Sequence, residues 1–319
     1  GFTKELKIFS SLLREFFYIL SSVNFKNINF KNKFIINAAV ETFSWESCNA
    51  LRIGYQIEEI VSKLKPKLIL TTFEGHSWER VAFASAKKAH PDIKCIGYQH
   101  AAIFENQYAM FNKFGDNFDP NIILTISENS KKIIKCKNRN DTPIYVFGSS
   151  KSAFYETVKS GKNCLVIPEG IIEECIFLFS FSLEAAKICP NIKFIWRTHP
   201  LVSLKKLIQN NSNFRKLPEN IILSTNTLNH DISTSKYVLY RGSTAIIQSS
   251  ASGLIPIYLS KKNEISLDPV YEIKDGKYIV ENCEDIIRVF ENSKPNIKRI
   301  KYCKNFYSPL NFKILKELI

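Results

Sequence analysis

The amino-acid sequence predicts an α/β protein with two Rossmann-like domains, each a parallel sheet covered by helices. Short β-branched runs alternate with segments whose apolar residues recur at helical spacing, which is the pattern of βαβ units. This alternation occurs in two series, separated by a polar stretch at residues 149–162 that we interpret as a linker. A chain of 319 residues is long enough for two such domains. We therefore predict a first domain over residues 1–150 and a second over residues 151–319, facing each other across a cleft.

Four strands are predicted in the first domain, each a short apolar run bounded by polar or turn-forming residues. They cover residues 67–72, 94–98, 121–126 and 143–147. After the first strand, residues 76–90 have helical spacing, with Trp78, Val81 and Ala82 on one face. A shorter helix through residues 131–134 precedes the last strand.

The second domain repeats the alternation with five predicted strands, at residues 163–167, 192–196, 221–224, 236–240 and 255–259. Its predicted helices cover residues 171–188, 201–209, 244–252, 284–291 and 312–319. The polar segment at residues 224–231, which contains His230, is predicted as a loop that either contacts a ligand or faces solvent. Ligands of such sheets bind beyond the carboxyl ends of the strands, so the residues that follow each strand are the candidates for function.

The composition excludes several classes of protein. Hydrophobic residues make up 45% of the chain and charged residues 23%, which is typical of a globular protein and not of a disordered one. No apolar stretch approaches the roughly 20 residues that span a bilayer. Residues 1–20 alternate charged and apolar groups and do not resemble a signal peptide, so we expect a cytoplasmic protein. Because the sequence begins at Gly1 and not at Met, a truncation at the start of the first domain stays open.

The net charge is +14, and the lysines are spread along the chain. They form no motif in which basic residues alternate with aromatic ones, so we expect no nucleic-acid partner. Peripheral contact with the anionic inner face of the cell membrane is one use of this charge, and an AT-rich genome is another explanation. The eight cysteines form no C-x-x-C pair, so we expect free thiols, no metal site and no cofactor.

Two strand ends of the second domain carry residues suited to an anionic ligand. Glu169 and Gly170 follow the strand at 163–167, where the carboxylate can bond a ribose or base edge, or can stabilise the start of the next helix. Arg197 and His199 follow the next strand, and Pro200 favours the first turn of a helix directly after them. The N-terminus of a helix attracts anions, so a phosphate site is predicted there.

A third strand end carries a glycine turn with hydroxyl groups. Arg241, Gly242, Ser243 and Thr244 follow the strand at 236–240 and precede a helix. Glycine permits close approach of a ligand to the backbone, and the hydroxyl and N–H groups can bond phosphate oxygens. The alternative is that Ser243 is simply the N-cap of the helix.

The first domain carries a carboxylate and two imidazoles at its strand ends. Glu74 and His76 follow its first strand, and His100 follows its second. A carboxylate or imidazole at such an edge can act as general base toward a hydroxyl group. His100 can equally be a hydrogen-bonded structural residue.

These motifs together resemble those of a known group of enzymes. The Arg-x-His-Pro string, the strand ending in Gly-Ser-Thr-Ala, and the segment Ser252-Gly253-Leu254-Ile255-Pro256 resemble the donor domain of bacterial GT-B glycosyltransferases. The string TTFEGHSWER and the later GYQHAAIF resemble proteins of surface carbohydrate biosynthesis. A His-Pro motif with a hydroxyl loop is similar to transferases that use CMP-sugars or CDP-glycerol. The chain has Gly-Ser-Thr where those families usually have Ser-Ser, so a UDP- or dTDP-sugar donor stays open.

The resemblance implies a metal-independent glycosyl transfer from a nucleotide-sugar to a surface glycan or a lipid-linked oligosaccharide. It assigns the leaving phosphate to Arg197, His199, Arg241 and the turn at 242–244, and the nucleotide to Glu169 and Gly170. Glu74, His76 and His100 are the catalytic candidates on the acceptor side. A nucleotide-sugar epimerase and a non-catalytic nucleotide-binding subunit of a polysaccharide assembly complex are the alternatives.

Overall fold

The computed structural model describes residues 2–24, 29–137, 141–152 and 161–318. The chain divides into two compact units. The first comprises Gly1–Ala101, Tyr108–Phe147 and Asn311–Ile319, and the second comprises Ala102–Gln107 and Gly148–Leu310. Most of the linker predicted at residues 149–162 lies outside the described residues.

The first unit begins with three helices and continues into a parallel sheet. The helices are α1 (Phe2–Ser21), α2 (Phe30–Glu41) and α3 (Trp45–Leu64). The strands are β1 (Leu68–Thr72), β2 (Lys94–Gln99), β3 (Ile122–Thr125) and β4 (Ile144–Val146), hydrogen-bonded in that order. Helix α4 (Ser77–Ala89) connects β1 to β2, and helix α5 (Glu128–Lys137) connects β3 to β4.

Helices α3 and α4 pack closely because of one glycine. A Cβ added to Gly54 in α3 would lie 2.6 Å from Cγ1 of Val81 and 2.8 Å from Oγ of Ser85, both in α4. The N-cap of α3 is Ser44, whose hydroxyl accepts the N–H of Ser47, and its C-cap is Lys65, which has the left-handed conformation. The packing fixes α4, whose N-terminus carries residues of the candidate site.

The second unit contains a six-stranded parallel sheet. Its strands are β5 (Asn163–Ile167), β6 (Phe194–Trp196), β7 (Ile221–Leu223), β8 (Ser235–Tyr240), β9 (Ile255–Leu259) and β10 (Tyr278–Val280). Its helices are α6 (Ile172–Ile188), α7 (Leu204–Asn210), α8 (Leu228–Ser233), α9 (Ala245–Ala251), α10 (Cys283–Asn292) and α11 (Ile297–Lys304). The strand order is β10-β9-β8-β5-β6-β7, so β5 lies between β6 and β8. Strands β6 and β7 are added on one side of β5, and strands β8, β9 and β10 on the other side. The boundary between β5 and β8 is therefore the topological switch point, where α/β sheets bind ligands.

The core of the second unit is built on aromatic residues between β6 and α6. Trp196 stacks on Phe179 with ring centroids 4.4 Å apart, and Phe214 meets Trp196 edge-on at 5.5 Å. The buried indole N–H donates to Oγ of Ser182 at 2.9 Å, so its polar group is satisfied. This packing holds the end of β6, and with it the segment that carries Arg197 and His199.

The last helix, α12 (Phe312–Leu318), packs on the first unit. The ring of Phe312 meets Phe147 edge-on at 5.6 Å, and Nζ of Lys94 donates to the carbonyl of Leu318 at 2.6 Å. The sequence prediction had placed residues 312–319 with the second domain. Apolar side chains of α12 cover a buried cluster that includes Ile96 and Leu124, which explains its position.

Other elements differ from the sequence prediction in detail. Helix α8 occupies the second half of the segment that was predicted as a polar loop, and its N-cap is Thr227, whose hydroxyl accepts the N–H of His230. Helices α2, α3 and α11 and strand β10 were not predicted. Over the described ranges, no helix is long and apolar enough to cross a membrane.

Candidate functional site

The ends of β5, β6 and β8 meet in a set of close contacts. A Cβ added to Gly170 would lie 2.9 Å from Cε1 and 3.1 Å from Nδ1 of His199. A Cβ added to Gly242 would lie 2.5 Å from Oε2 and 2.8 Å from Oε1 of Glu169. The two glycines therefore allow the turn after β5 to touch the segments that follow both neighbouring strands. Four residues that the sequence singled out lie together at the switch point of the sheet.

The ring orientation of His199 is set by its own turn. Nδ1 accepts the backbone N–H of Leu201 at 3.2 Å. A neutral imidazole that accepts at Nδ1 carries its proton on Nε2, so His199 presents an N–H donor on the far side of the ring. The side chain is half-buried. It can donate to an anionic oxygen in either its neutral or its protonated form.

Arg197 is anchored to the segment that leads into α8. Its Nη1 donates to Oδ2 of Asp231 at 3.0 Å and to the carbonyl of Asn226 at 2.6 Å. Asp231 is 1% exposed and also accepts the hydroxyl of Ser224 at 2.6 Å. Because its side chain remains about a third exposed, Arg197 keeps part of its surface toward solvent at this sheet edge.

Arg241 is buried, and this geometry does not support the direct phosphate contact predicted for it. Its side chain is 1% exposed, and each of its three nitrogens donates to a protein acceptor. Nη1 donates to the carbonyl of Leu259 at 3.0 Å, Nη2 to Glu264 at 2.6 Å, and Nε to Glu174. Burial opposes the charge, but the hydrogen bonds to Glu264 and Glu174 outweigh it and raise the pKa of Arg241. Arg241 therefore supports the glycine turn that follows it.

Ser243 and Thr244 lie half-buried at the start of α9. The N-cap of this helix is Thr244, and no side-chain hydrogen bond caps it. The alternative in which Ser243 is the N-cap therefore does not describe this turn. Both residues follow Gly242 directly, and Gly242 itself lies against the carboxyl group of Glu169.

The carboxyl group of Glu169 sits in an unusual environment. Burial is the main cause that raises its pKa, and the carboxylates of Glu174 and Glu264 add to the effect, while Arg241 opposes it. Among the described residues, its buried Oε1 has no hydrogen-bond partner. A buried polar atom without a partner costs stability, and such atoms are found where a ligand completes the hydrogen bonding.

In the first unit, Glu74 lies between two imidazoles. Its Oε2 is 3.3 Å from Nε2 of His76, and its Oε1 is 3.7 Å from Nδ1 of His100. The side chains of His76 and His100 are 59% and 44% exposed, and that of Glu74 is 23% exposed. The three catalytic candidates predicted from the sequence thus form one accessible cluster at the carboxyl ends of β1 and β2.

A residue that the sequence analysis did not single out fixes this cluster. The carboxylate of Glu79, which is fully buried, accepts the backbone N–H groups of Glu74, Gly75 and His76 at 2.8–2.9 Å. It also accepts the hydroxyl of Thr72 at 3.1 Å. Glu79 stands three residues after the N-cap His76, which is the spacing of a capping box. That spacing was the available signal, although histidine is an uncommon N-cap.

Comparison with solved structures shows that the chain shares its architecture with several proteins of known structure. No protein-family model matches the sequence, and no curated protein does. A structure of S. aureus MnaA with UDP is similar over 86% of this chain and 80% of that protein, with 13% identity and a TM-score of 0.56. The UDP-GlcNAc 2-epimerase of Methanocaldococcus jannaschii, in complex with UDP-GlcNAc and UDP, is similar over 86% of this chain and 82% of that protein, with 12% identity and a TM-score of 0.53. The pneumococcal O-GlcNAc transferase GtfA, in complex with UDP and GlcNAc, is similar over 82% of this chain and 58% of that protein, with 14% identity and a TM-score of 0.51.

The chain has the GT-B fold. The fold class predicted from the sequence, α/β with two Rossmann-like domains of the GT-B kind, is confirmed. Within this fold, the second unit of the chain carries the complete strand order of a Rossmann sheet. A shared fold does not determine the chemistry, which depends on the residues at the edges of the two sheets.

No group of three or more His, Cys, Asp or Glu residues in the described part of this GT-B chain is arranged to hold a metal ion. The groups present are instead donors and bases. One sheet edge offers the imidazole N–H of His199, the hydroxyl groups of Ser243 and Thr244, and the carboxyl group of Glu169. The other edge offers the carboxylate of Glu74 with its two imidazoles.

Proposed function

We propose that the protein is a glycosyltransferase that moves a sugar from a nucleotide-sugar donor to a hydroxyl group of a surface glycan or lipid-linked oligosaccharide. The observation that carries the proposal is the contact of Gly170 with His199 and of Gly242 with Glu169 at the switch point of the second sheet. Enzymes that act on nucleotide-sugars are represented among the similar structures, which supports the general class.

The donor is proposed to bind at the edge of the second sheet. Nε2–H of His199 and the hydroxyl groups of Ser243 and Thr244 would donate to phosphate oxygens, where charge develops as the leaving group departs. Glu169 and Gly170 would contact the nucleotide. Arg197 would add positive charge next to His199. Since the sequence has no Asp-x-Asp motif, we propose that the reaction needs no metal ion.

The resemblance of the sequence motifs favours a CMP-sugar, whereas the similar structures that contain UDP favour a UDP-sugar. The acceptor is proposed to be activated by the cluster of Glu74, His76 and His100 through general base catalysis. The net charge of +14 is compatible with work at the anionic inner face of the membrane, where lipid-linked acceptors reside.

The epimerase alternative is favoured by the likeness to structures described as UDP-GlcNAc 2-epimerases, among them that of M. jannaschii. An epimerase needs a base that removes a proton from carbon, and the first-unit cluster offers one. Incubation of a UDP-GlcNAc probe in deuterated water distinguishes the two. Deuterium in the recovered sugar would favour epimerisation, and slow release of free sugar without deuterium would favour transfer to water.

The proposal is tested by thermal shift with CMP, CDP, UDP, GDP and dTDP. Saturation at about 100 times Kd should stabilise the protein by roughly 2.7 kcal/mol. The H199A variant should lose most of this shift, because a hydrogen bond to a charged group contributes about 1.5–3 kcal/mol. The absence of any shift with all five nucleotides at millimolar concentration would overturn the proposal.

A further inference from the structure

We infer that His100 takes the acceptor proton through its Nε2 atom, while Glu74 positions its ring and His76 braces Glu74. The inference rests on the proposed function and assigns distinct roles within the first-unit cluster. The contacts of Glu74 with the two imidazole rings are not equivalent. Glu74 contacts Nε2 of His76 but Nδ1 of His100.

This asymmetry determines which nitrogen of each ring stays available. The carboxylate of Glu74 accepts only, so each ring nitrogen that faces it carries a proton in the neutral imidazole. His76 then keeps its lone pair on Nδ1, and His100 keeps its lone pair on Nε2. The separation of 3.7 Å at His100 is longer than a hydrogen bond, as is common for catalytic pairs without bound substrate.

The two available nitrogens differ in accessibility. Nδ1 is bonded to Cγ, the ring atom that is attached to Cβ, so it lies close to the backbone of its own residue. In His76 that backbone is the N-cap of α4, where Glu79 holds the N–H. Nε2 of His100 lies at the outer edge of a side chain that is 44% exposed. The side chain of His76 is more exposed as a whole, at 59%, but its available nitrogen lies beside its own backbone. The available nitrogen of His100 lies at the end of the ring away from its backbone, where a sugar hydroxyl group can reach it.

The strand ends hold the cluster in place. The backbone N–H after β1, that of Phe73, donates to the carbonyl of Tyr98 in β2 at 2.9 Å, so the segments that carry Glu74 and His100 are joined. The buried side chain of Gln99, directly before His100, donates to the carbonyl of Ala101, directly after it. His100 is thus fixed on both sides, which favours a defined ring position.

The step balances as a substitution. The proton of the acceptor hydroxyl moves to Nε2 of His100 as its oxygen forms a bond to the anomeric carbon. The bond from that carbon to the phosphate oxygen breaks, and its electron pair leaves with the phosphate. His100 becomes an imidazolium whose positive charge Glu74 stabilises from the Nδ1 side.

The test reads the tautomers directly and needs no substrate. In a long-range ¹H–¹⁵N NMR spectrum, recorded at a pH high enough that the ring ¹⁵N shifts no longer change, His100 should be mainly the Nδ1–H tautomer. His76 should be mainly the Nε2–H tautomer, the form that also dominates for free imidazole side chains in water. The H76N and H100N variants assign the two signals. In E74A, which removes the acceptor that faces Nδ1, His100 should change to mainly Nε2–H, whereas E128A, at an exposed position in α5, should leave it unchanged.

Two results would overturn the inference, namely an Nε2–H tautomer for His100 in the unmodified protein and a His100 signal that E74A does not alter. Neither result bears on donor binding, which is measured by the nucleotide thermal shifts. The H100N variant should keep those shifts while turnover falls by about 10²–10⁴-fold. H76N should lose less turnover than H100N, and the reverse order would contradict the assigned roles. Failure of the proposed function would instead appear as absent nucleotide binding with the tautomers as predicted.

Discussion

Gly170 lies against the imidazole of His199, at a distance that leaves no room for a side chain. A Cβ at Gly170 would sit 2.9 Å from Cε1 of the ring, closer than side-chain carbons approach one another. The contact joins the turn after β5 to the segment after β6, next to the point where the sheet changes direction. The glycine therefore sets the position of the imidazole that is proposed to hold the donor phosphate.

The G170A variant should lose nucleotide affinity without losing stability. The added methyl group displaces the His199 ring, and the loss of its hydrogen bond should weaken binding about tenfold or more, or roughly 1.4 kcal/mol. Gly170 is not in the left-handed region, so alanine is tolerated by the backbone and restricts the unfolded chain. Calorimetric titration with the nucleotide that stabilises the unmodified protein, together with urea unfolding, measures both effects. Unchanged affinity in G170A would mean that the ring position does not matter for binding.

Arg241 and Arg197 should respond differently to substitution. R241Q leaves Glu174 and Glu264 without their buried partner, which should lower the free energy of unfolding by about 3–5 kcal/mol. In R197Q, Asp231 keeps the hydroxyl of Ser224, so we expect a smaller loss of stability together with weaker nucleotide binding. Urea unfolding curves of both variants test the order. If R241Q unfolded like the unmodified protein and lost only nucleotide binding, Arg241 would belong to the ligand site after all.

The sequence allowed the strands and the order of the site residues to be predicted, because both are local features. The strand at 163–167 was predicted with its observed bounds, and the helix after it to within one residue. The convergence of residues 169, 199 and 242 followed from a general rule about strand ends. Long-range partners carry no such local signal. Glu174 lies 67 residues before Arg241 and Glu264 lies 23 residues after it, so the burial of Arg241 could not be read from its neighbours.

Glu169 should make the stability of the protein depend on pH in an unusual direction. Burial, with help from Glu174 and Glu264, raises the pKa of its carboxyl group in the folded state. A raised carboxyl pKa means that the unfolded chain releases the proton more readily. Stability is therefore fully present below the pKa of the unfolded state and falls as pH rises through the folded pKa.

The E169Q variant removes this ionisation while keeping the shape of the side chain. Its free energy of unfolding should exceed that of the unmodified protein at neutral pH, and the difference should shrink toward acid pH. Nucleotide affinity should fall in the same variant, since the amide replaces a group proposed to contact the ligand. Urea unfolding at a series of pH values gives the first quantity. A difference that grew toward acid pH would show that the carboxylate is stabilised, and not destabilised, by folding.

Glu79 should be essential for the first-unit cluster although it touches no substrate. Its carboxylate accepts three backbone N–H groups and one hydroxyl group, all in the segment that positions Glu74 and His76. In E79Q a neutral amide oxygen must accept the three N–H groups that bond to Oε2 of the carboxylate. Each hydrogen bond to a neutral acceptor contributes about 1 kcal/mol less than a bond to a charged one. We therefore expect E79Q to lose about 3 kcal/mol of unfolding free energy, and the amides of Glu74, Gly75 and His76 to exchange faster with deuterium.

The matched control is E128Q, since Glu128 lies exposed in the first turn of α5 and accepts no comparable set of bonds in the described structure. It should change stability by less than about 0.5 kcal/mol. Turnover should fall in E79Q and not in E128Q, because the base cluster depends on the backbone path that Glu79 fixes. Equal exchange rates for the three amides in E79Q and in the unmodified protein would mean that the loop keeps its conformation without the carboxylate, and the positions of Glu74 and His76 would then need another cause.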